Sequence, residues 1–89
     1  MGVEFRVLLR RPGLAIGGLR FAARATIDEH SAPFEIDVVC LAGEGFVSVG
    51  SACTPFRCGQ SVTWPAGVNH RLWTDGLPME TLMVEHHAA

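Results

Sequence analysis

His70 is the residue whose surroundings in this sequence best fit a chemical role. It lies in a stretch punctuated by two turns, one at Gly59-Gln60 and one at Pro65-Ala66-Gly67. Pro fixes φ and Gly accepts a positive φ, so both segments favour chain reversal. Residues 61–64 between them alternate polar and apolar, and residues 68–74 run as the next strand. An inward imidazole near the start of that strand is either a hydrogen-bonded core residue or a ligand, acid or base that works near neutral pH.

The spacing of these residues resembles the second conserved motif of the cupin family, which reads G-x5-P-x-G-x2-H-x3-N. Gly59, Pro65, Gly67 and His70 match it, and Thr74 stands where the family has Asn. The resemblance implies an all-β fold, an antiparallel double-sheet jelly-roll barrel. It does not identify a reaction, because cupins include dioxygenases, isomerases, decarboxylases, sugar-binding sensors and storage proteins.

The first cupin motif resembles G-x5-H-x-H-x3,4-E-x6-G, and its two His and one Glu join the His of the second motif around a metal. With Gly43 as the last glycine, His30 takes the first His position. Ala32 and Ile36 occupy the other two ligand positions. The resemblance therefore implies a depleted metal site that keeps only His30 and His70.

Two further residues could supply a third ligand to a divalent transition metal. Glu35 is adjacent to Ile36, but a shift of one residue turns its side chain to the opposite face unless a bulge rotates the strand. Cys40 lies four positions after Ile36 on the inward face, and a His30-His70-Cys40 site would suit a borderline-soft metal. The alternatives are a metal-free barrel with two polar pocket histidines and, for His30, simple exposure on a connector.

The inward-facing side chains define an expected ligand pocket. Small-molecule sites are mostly apolar with a few polar groups, although an ordinary filled core has the same composition. The expected lining is His30, Phe34, Ile36, Val38, Cys40, Phe56, Trp64, His70 and Leu72. Trp73 should face outward, either as part of a covered patch or as a single exposed aromatic residue.

The chain around this stretch reads as short strands without a helix. We predict strands at residues 3–9, 14–16, 19–27, 35–41, 46–49, 52–58, 61–64, 68–74 and 79–85. Turns should include Gly17-Gly18 and residues 42–45, and residues 86–89 should form a tail. Short strands at spacings of roughly 8–12 residues indicate a sandwich or barrel. Residues 1–89 make one domain, with the motif-bearing core at 30–85.

The composition limits the partners of this domain. Apolar residues make up 48% of the chain and charged residues 18%, which predicts that a second copy covers apolar surface in a homodimer. No basic run exceeds Arg10-Arg11, which argues against nucleic-acid binding. No apolar run approaches the ~20 residues of a membrane-spanning helix. Three cysteines without a CxxC fit free thiols in the cytoplasm.

Together these features predict a small stand-alone cupin of the binding type, with an apolar barrel pocket for an unidentified small molecule and a depleted metal site. The alternative is a small metalloenzyme of the dioxygenase or isomerase type that uses His30, His70 and a non-standard third ligand. A third interpretation is a partner or oligomerisation module whose interface includes Trp73 and the face of Val39 and Leu41.

Overall fold

Eight strands and no helix build residues 2–87, the part of the chain that this computed structural model describes. The strands are β1 (Val3–Arg11), β2 (Leu14–Phe21), β3 (Thr26–His30), β4 (Glu35–Val49), β5 (Ala52–Arg57), β6 (Ser61–Trp64), β7 (His70–Trp73) and β8 (Met79–His86). Every strand pairing is antiparallel. None of the described residues forms a helix long and apolar enough to cross a membrane.

The strands form two sheets that share the long strand β4. The first sheet has the order β1-β2-β8-β4-β6 and uses the first half of β4. The second sheet has the order β3-β7-β4-β5 and uses the second half of β4. The largest fully buried side chains lie between the sheets and include Trp64, Phe21, Leu72, Met79, His70 and Val38. The predicted all-β, antiparallel jelly-roll barrel is confirmed.

The predicted turn at residues 42–45 is wrong, because the chain bends there without reversing. The register between β4 and β8 shifts between Cys40 and Ala42, and Gly43 has a φ of 73°. A Cβ atom on Gly43 would overlap the carbonyl oxygen of Pro78. Strands commonly pass from one sheet to another at a bulge or bend of this kind. In the sequence, glycines at such a corner look the same as glycines in a turn.

The predicted turn at Gly17-Gly18 is also wrong, since both residues lie inside β2. Gly17 pairs with Val7, and a Cβ atom on Gly17 would lie 2.6 Å from the Phe5 ring. The glycine therefore makes room for an aromatic side chain rather than for a chain reversal.

The predicted strand at residues 19–27 is two strands, because residues 22–25 carry the chain from the first sheet to the second. Thr74 anchors this crossing through its hydroxyl, which donates to the Ala22 carbonyl at 2.6 Å and accepts from the Ala25 N–H at 2.9 Å. The Thr74 N–H also donates to the Ala25 carbonyl at 2.9 Å. Thr74 is buried, so its hydroxyl satisfies backbone groups that water does not reach. The residue that replaces the Asn of the cupin motif has a structural role here.

The predicted tail is wrong at its first two residues. Strand β8 includes His86, whose Nε2 lies 2.8 Å from the Asp37 carboxylate. The His87 ring packs against the Phe34 ring with centroids 4.1 Å apart. Residues 88–89 lie outside the described part of the chain.

Replacing Gly43 with Ala should destabilise the protein more than replacing Gly59 with Ala. Both glycines have a positive φ, of 73° and 89°, so both substitutions strain the backbone by ~1–3 kcal/mol. Only Gly43→Ala also forces a Cβ against the Pro78 backbone, because no atom lies within 4 Å of a Cβ on Gly59. We expect a further loss of about 2 kcal/mol in the free energy of unfolding, measured in urea. Equal losses would show that the close approach at the corner is not a constraint.

Candidate functional site

His30 and His70 are neighbours across the pairing of β3 with β7. Their Nε2 atoms lie 3.3 Å apart, and the rings meet edge to face with centroids separated by 4.5 Å. His70 is only 1% exposed, whereas His30 is exposed. The site is therefore an accessible imidazole resting on a buried one.

Trp64 completes the site from the first sheet. Its ring stacks on the His70 ring at a centroid distance of 3.8 Å and an angle of 5°, and it is 1% exposed. The turn at residues 65–67 then returns the chain to β7, with Gly67 at a φ of 75°. The Gly67 N–H donates to the Ala32 carbonyl at 2.8 Å, which ties this turn to the connector after His30. The predicted turn therefore links the segment that follows His30 to the segment that precedes His70.

Hydrogen bonds determine which nitrogen of each imidazole carries a proton. The Nδ1 of His30 lies 2.8 Å from the Asp28 carbonyl oxygen, which can only accept, so this Nδ1 is an N–H donor. In a neutral His30 the Nε2 is then an acceptor, and the Nε2 of His70 must donate to it. His70 Nδ1 is buried and has no hydrogen-bond partner of ordinary geometry.

The surroundings of His70 favour the neutral ring that this arrangement requires. Burial, with a smaller contribution from the neighbouring His30, lowers the pKa of His70 to about 4. The Val68 backbone acts in the opposite direction and is the smallest of the three causes. His70 is therefore uncharged at neutral pH.

The two imidazoles by themselves do not make a complete metal centre. Cys40 lies elsewhere in the core, with its thiol 3.6 Å from each of the carbonyl oxygens of Ala42 and Gly43. Glu35 is exposed at the start of β4, opposite His86 in register. Within residues 2–87 no group of three or more His, Cys, Asp or Glu side chains could hold a metal ion. A catalytic zinc normally has three protein ligands, so the described residues do not fit one.

The hydrogen bonds at the Nδ1 atoms of the two histidines also differ from those of a complete metal centre. A metal-binding His usually donates its other N–H to a carbonyl or carboxylate, which orients the ring. His30 has such a bond to Asp28, whereas His70 has none at Nδ1. The Asp28 carbonyl was missed by sequence reasoning, because a backbone acceptor has no signature in residue type.

Most of the expected pocket lining is packed core. Ile36, Val38, Cys40, Phe56, Trp64, His70 and Leu72 are each at most 4% exposed, while Phe34 is half-buried and His30 is exposed. An open hollow of about 410 Å³ lies beside this core at the gap between β5 and β6. Its lining is Val47, Thr54, Pro55, Phe56, Gln60, Ser61 and Val62. Val62 precedes Trp64 by two residues on the same face of β6, with Cα atoms about 7 Å apart, so one strand borders the hollow and carries a ring of the stack.

The residues of the third interpretation lie in different sheets. Trp73 lies on the second sheet, where it stacks on Phe46 with centroids 5.7 Å apart and packs under Arg71. Val39 and Leu41 belong to the half of β4 that lies in the first sheet. Leu41 is 53% exposed, whereas Trp73 is half-buried.

Comparison with solved structures defines the class of fold. The chain is similar to an RmlC-like cupin from Shewanella frigidimarina, with a TM-score of 0.92 and 18% identity over 98% of this chain and 78% of that one. It also resembles a cupin 2 conserved barrel domain protein from Leptotrichia buccalis, with a TM-score of 0.88 and 24% identity over 94% of this chain and 40% of the other. The chain therefore has the cupin fold, as the motif resemblance implied.

A third similar structure is a Ralstonia eutropha protein named provisionally as a mannose-6-phosphate isomerase. The TM-score is 0.84 and the identity 28%, over 97% of this chain and 85% of that one. At the level of sequence, no protein-family model and no curated protein matches the chain.

The stability of the protein should depend on the protonation of His70. The pKa of His70 is about 4 in the folded state and ordinarily 6.5, so the unfolded state binds more protons between these values. The contribution is fully present above pH 6.5 and is lost as the pH falls through 4, by about 3 kcal/mol at most. His70→Phe keeps an aromatic ring against Trp64 but cannot titrate, so its free energy of unfolding should fall less steeply with pH.

Urea unfolding at pH 7, 5.5 and 4.5 measures this difference. Parallel pH profiles for the wild type and His70→Phe would contradict the assignment of a neutral, buried His70.

Proposed function

We propose that this protein is a small cupin of the binding type, which holds a small organic molecule in the hollow between β5 and β6, beside the stacked rings of Trp64 and His70. The observation that carries the proposal is the contact between the exposed His30 and the fully buried His70. This contact places polar nitrogen atoms at the edge of an apolar interior, which is the composition of a small-molecule site. Within residues 2–87, the shortage of metal-binding side chains around the pair supports binding over metal-dependent catalysis.

Two buried nitrogen atoms indicate the chemistry of the molecule. His70 Nδ1 and Trp64 Nε1 are both buried without a hydrogen-bond partner, and their rings are stacked. An unpaired buried polar group costs roughly 1–3 kcal/mol, which a ligand with matching groups would recover. A hydroxyl both donates and accepts, so a hydroxylated molecule with an apolar body suits these atoms and the adjoining hollow.

The alternative is a metalloenzyme of the dioxygenase or isomerase type, and one distance favours it. Two nitrogen ligands about 2.0–2.1 Å from a tetrahedral zinc lie about 3.3–3.4 Å apart, and the two Nε2 atoms are 3.3 Å apart. The provisional isomerase name of one similar structure points in the same direction. This alternative needs a third ligand from the bound molecule itself or from a rearranged side chain.

Metal content separates the two proposals. We expect well under one metal per chain after incubation with zinc, iron, nickel or manganese and gel filtration, measured by elemental analysis on protein without a histidine tag. His30→Ala and His70→Ala should give the same low values. About one metal per chain in the wild type, lost in both variants, would favour the metalloenzyme.

Phenol is a suitable probe of the binding proposal, because it joins one hydroxyl to an apolar ring. Titration with phenol should shift the ¹⁵N resonances of the His70 ring in a saturable manner, while those of the exposed His86 stay unchanged. Val62→Trp should abolish the shift by filling the hollow. Shifts that are absent, or equal at His70 and His86, would contradict the proposed site.

A further inference from the structure

Strand β1 ends the first sheet with one edge unpaired in the described chain. It pairs only with β2, so the backbone groups along its other edge have no strand partner. Its side chains are also unusually apolar for an edge, with Phe5 58% exposed, Val7 43%, Leu8 53% and Leu9 44%. Proteins usually protect such edges with charges, bulges or prolines, because a bare edge pairs with another chain.

The features that hinder edge pairing, a bulge and two adjacent charges, occur only in the second half of β1. A register shift between Val7 and Leu9 interrupts the strand, and Arg10 and Arg11 follow. Residues 3–7 are regular and pair with β2 without a break. The segment Val3-Glu4-Phe5-Arg6-Val7 is therefore the part of the edge that is free to pair.

The two faces of this segment follow from its partners on β2. Phe5 and Val7 lie opposite Leu19 and Gly17, which are buried, so they belong to the inner face of the sheet. Glu4 lies opposite the exposed Arg20 and therefore belongs to the outer face, together with Arg6.

From this arrangement we infer that residues 3–7 of β1 pair antiparallel with the same residues of a second copy, about a two-fold axis at Phe5. Phe5 then lies opposite its own counterpart, Glu4 opposite Arg6 of the second copy, and Val3 opposite Val7. Inner residues meet inner residues, and each charge meets the opposite charge. Axes centred on Glu4 or Arg6 would instead place like charges opposite each other, which is destabilising.

Charges on the outer face support the same register. Glu80, Arg20 and Glu4 lie side by side across β8, β2 and β1, and Arg20 contacts Glu80 at 3.0 Å. An Arg6 from the second copy continues this row as the fourth residue with alternating charge. The homodimer expected from composition is thus assigned to β1, and the first sheets of the two copies become one continuous sheet. This inference does not depend on the ligand proposed above.

Phe5→Glu tests the dimer, because it places two carboxylates opposite each other at the axis. Sedimentation over a range of protein concentrations should show a wild-type dimer and at least a tenfold weaker association of Phe5→Glu. Leu77→Glu is the matched control, since Leu77 is 54% exposed but lies outside the strands, and it should remain dimeric. A wild type that is monomeric at every concentration, or a Phe5→Glu dimer as strong as the wild type, would overturn the inference.

Disulfide trapping tests the register. In a Cys53→Ser/Cys58→Ser background, which removes the exposed thiols, Phe5→Cys should form a cross-linked dimer when oxidised with diamide. Residues directly opposite each other have Cβ atoms about 4.5–5.5 Å apart, close to disulfide geometry. Val7→Cys should not cross-link, because its counterpart lies about 13 Å along the strand. Cross-linking at Val7 but not at Phe5 would overturn the proposed axis.

Discussion

The bend of β4 at Gly43 is the constraint on which the rest of the described structure depends. Ahead of the bend, Ile36 pairs with Trp64, and beyond it Val49 pairs with His70. One strand therefore positions both stacked rings, and the angle of its bend sets the distance between them. Only glycine tolerates the positive φ of this corner and the close approach of the Pro78 carbonyl oxygen.

Among the described residues, the imidazole pair lacks the further side chains of a metal centre, and its two rings differ in hydrogen bonding. His30 keeps the carbonyl contact that orients a metal-binding ring, but His70 lies in a dry environment without one. Ile36 is buried, and Ala32 packs against the same core, at the positions where the cupin motif has a Glu and a His. These replacements remove two ligands and also reduce the polarity around the site. The low pKa of His70 follows mainly from this burial.

Charged side chains lie in a row on the outer face of the first sheet. The Arg20–Glu80 ion pair is exposed, so by itself it adds little to stability. In the dimer that we infer, its position beside Glu4 would matter more for recognition, because alternating charges select one strand register among several. The apolar side chains of β1 would supply area for association, and the charges would decide how two copies align.

Local features were predictable from the sequence by itself. The turns at Gly59 and Gly67 depend on φ values that those residues provide within a few positions, and their strands and the cupin motif were identified correctly. Gly17 and Gly43 were misread as turns because their reason for being glycine is an atom distant in the sequence, in Phe5 or Pro78. The motif resemblance implied that His30 and His70 share one site, and the two rings are in contact. Only the tertiary structure showed that most of the expected pocket lining is packed core. Backbone conformation is largely a local property, whereas proximity and packing depend on residues far apart along the chain.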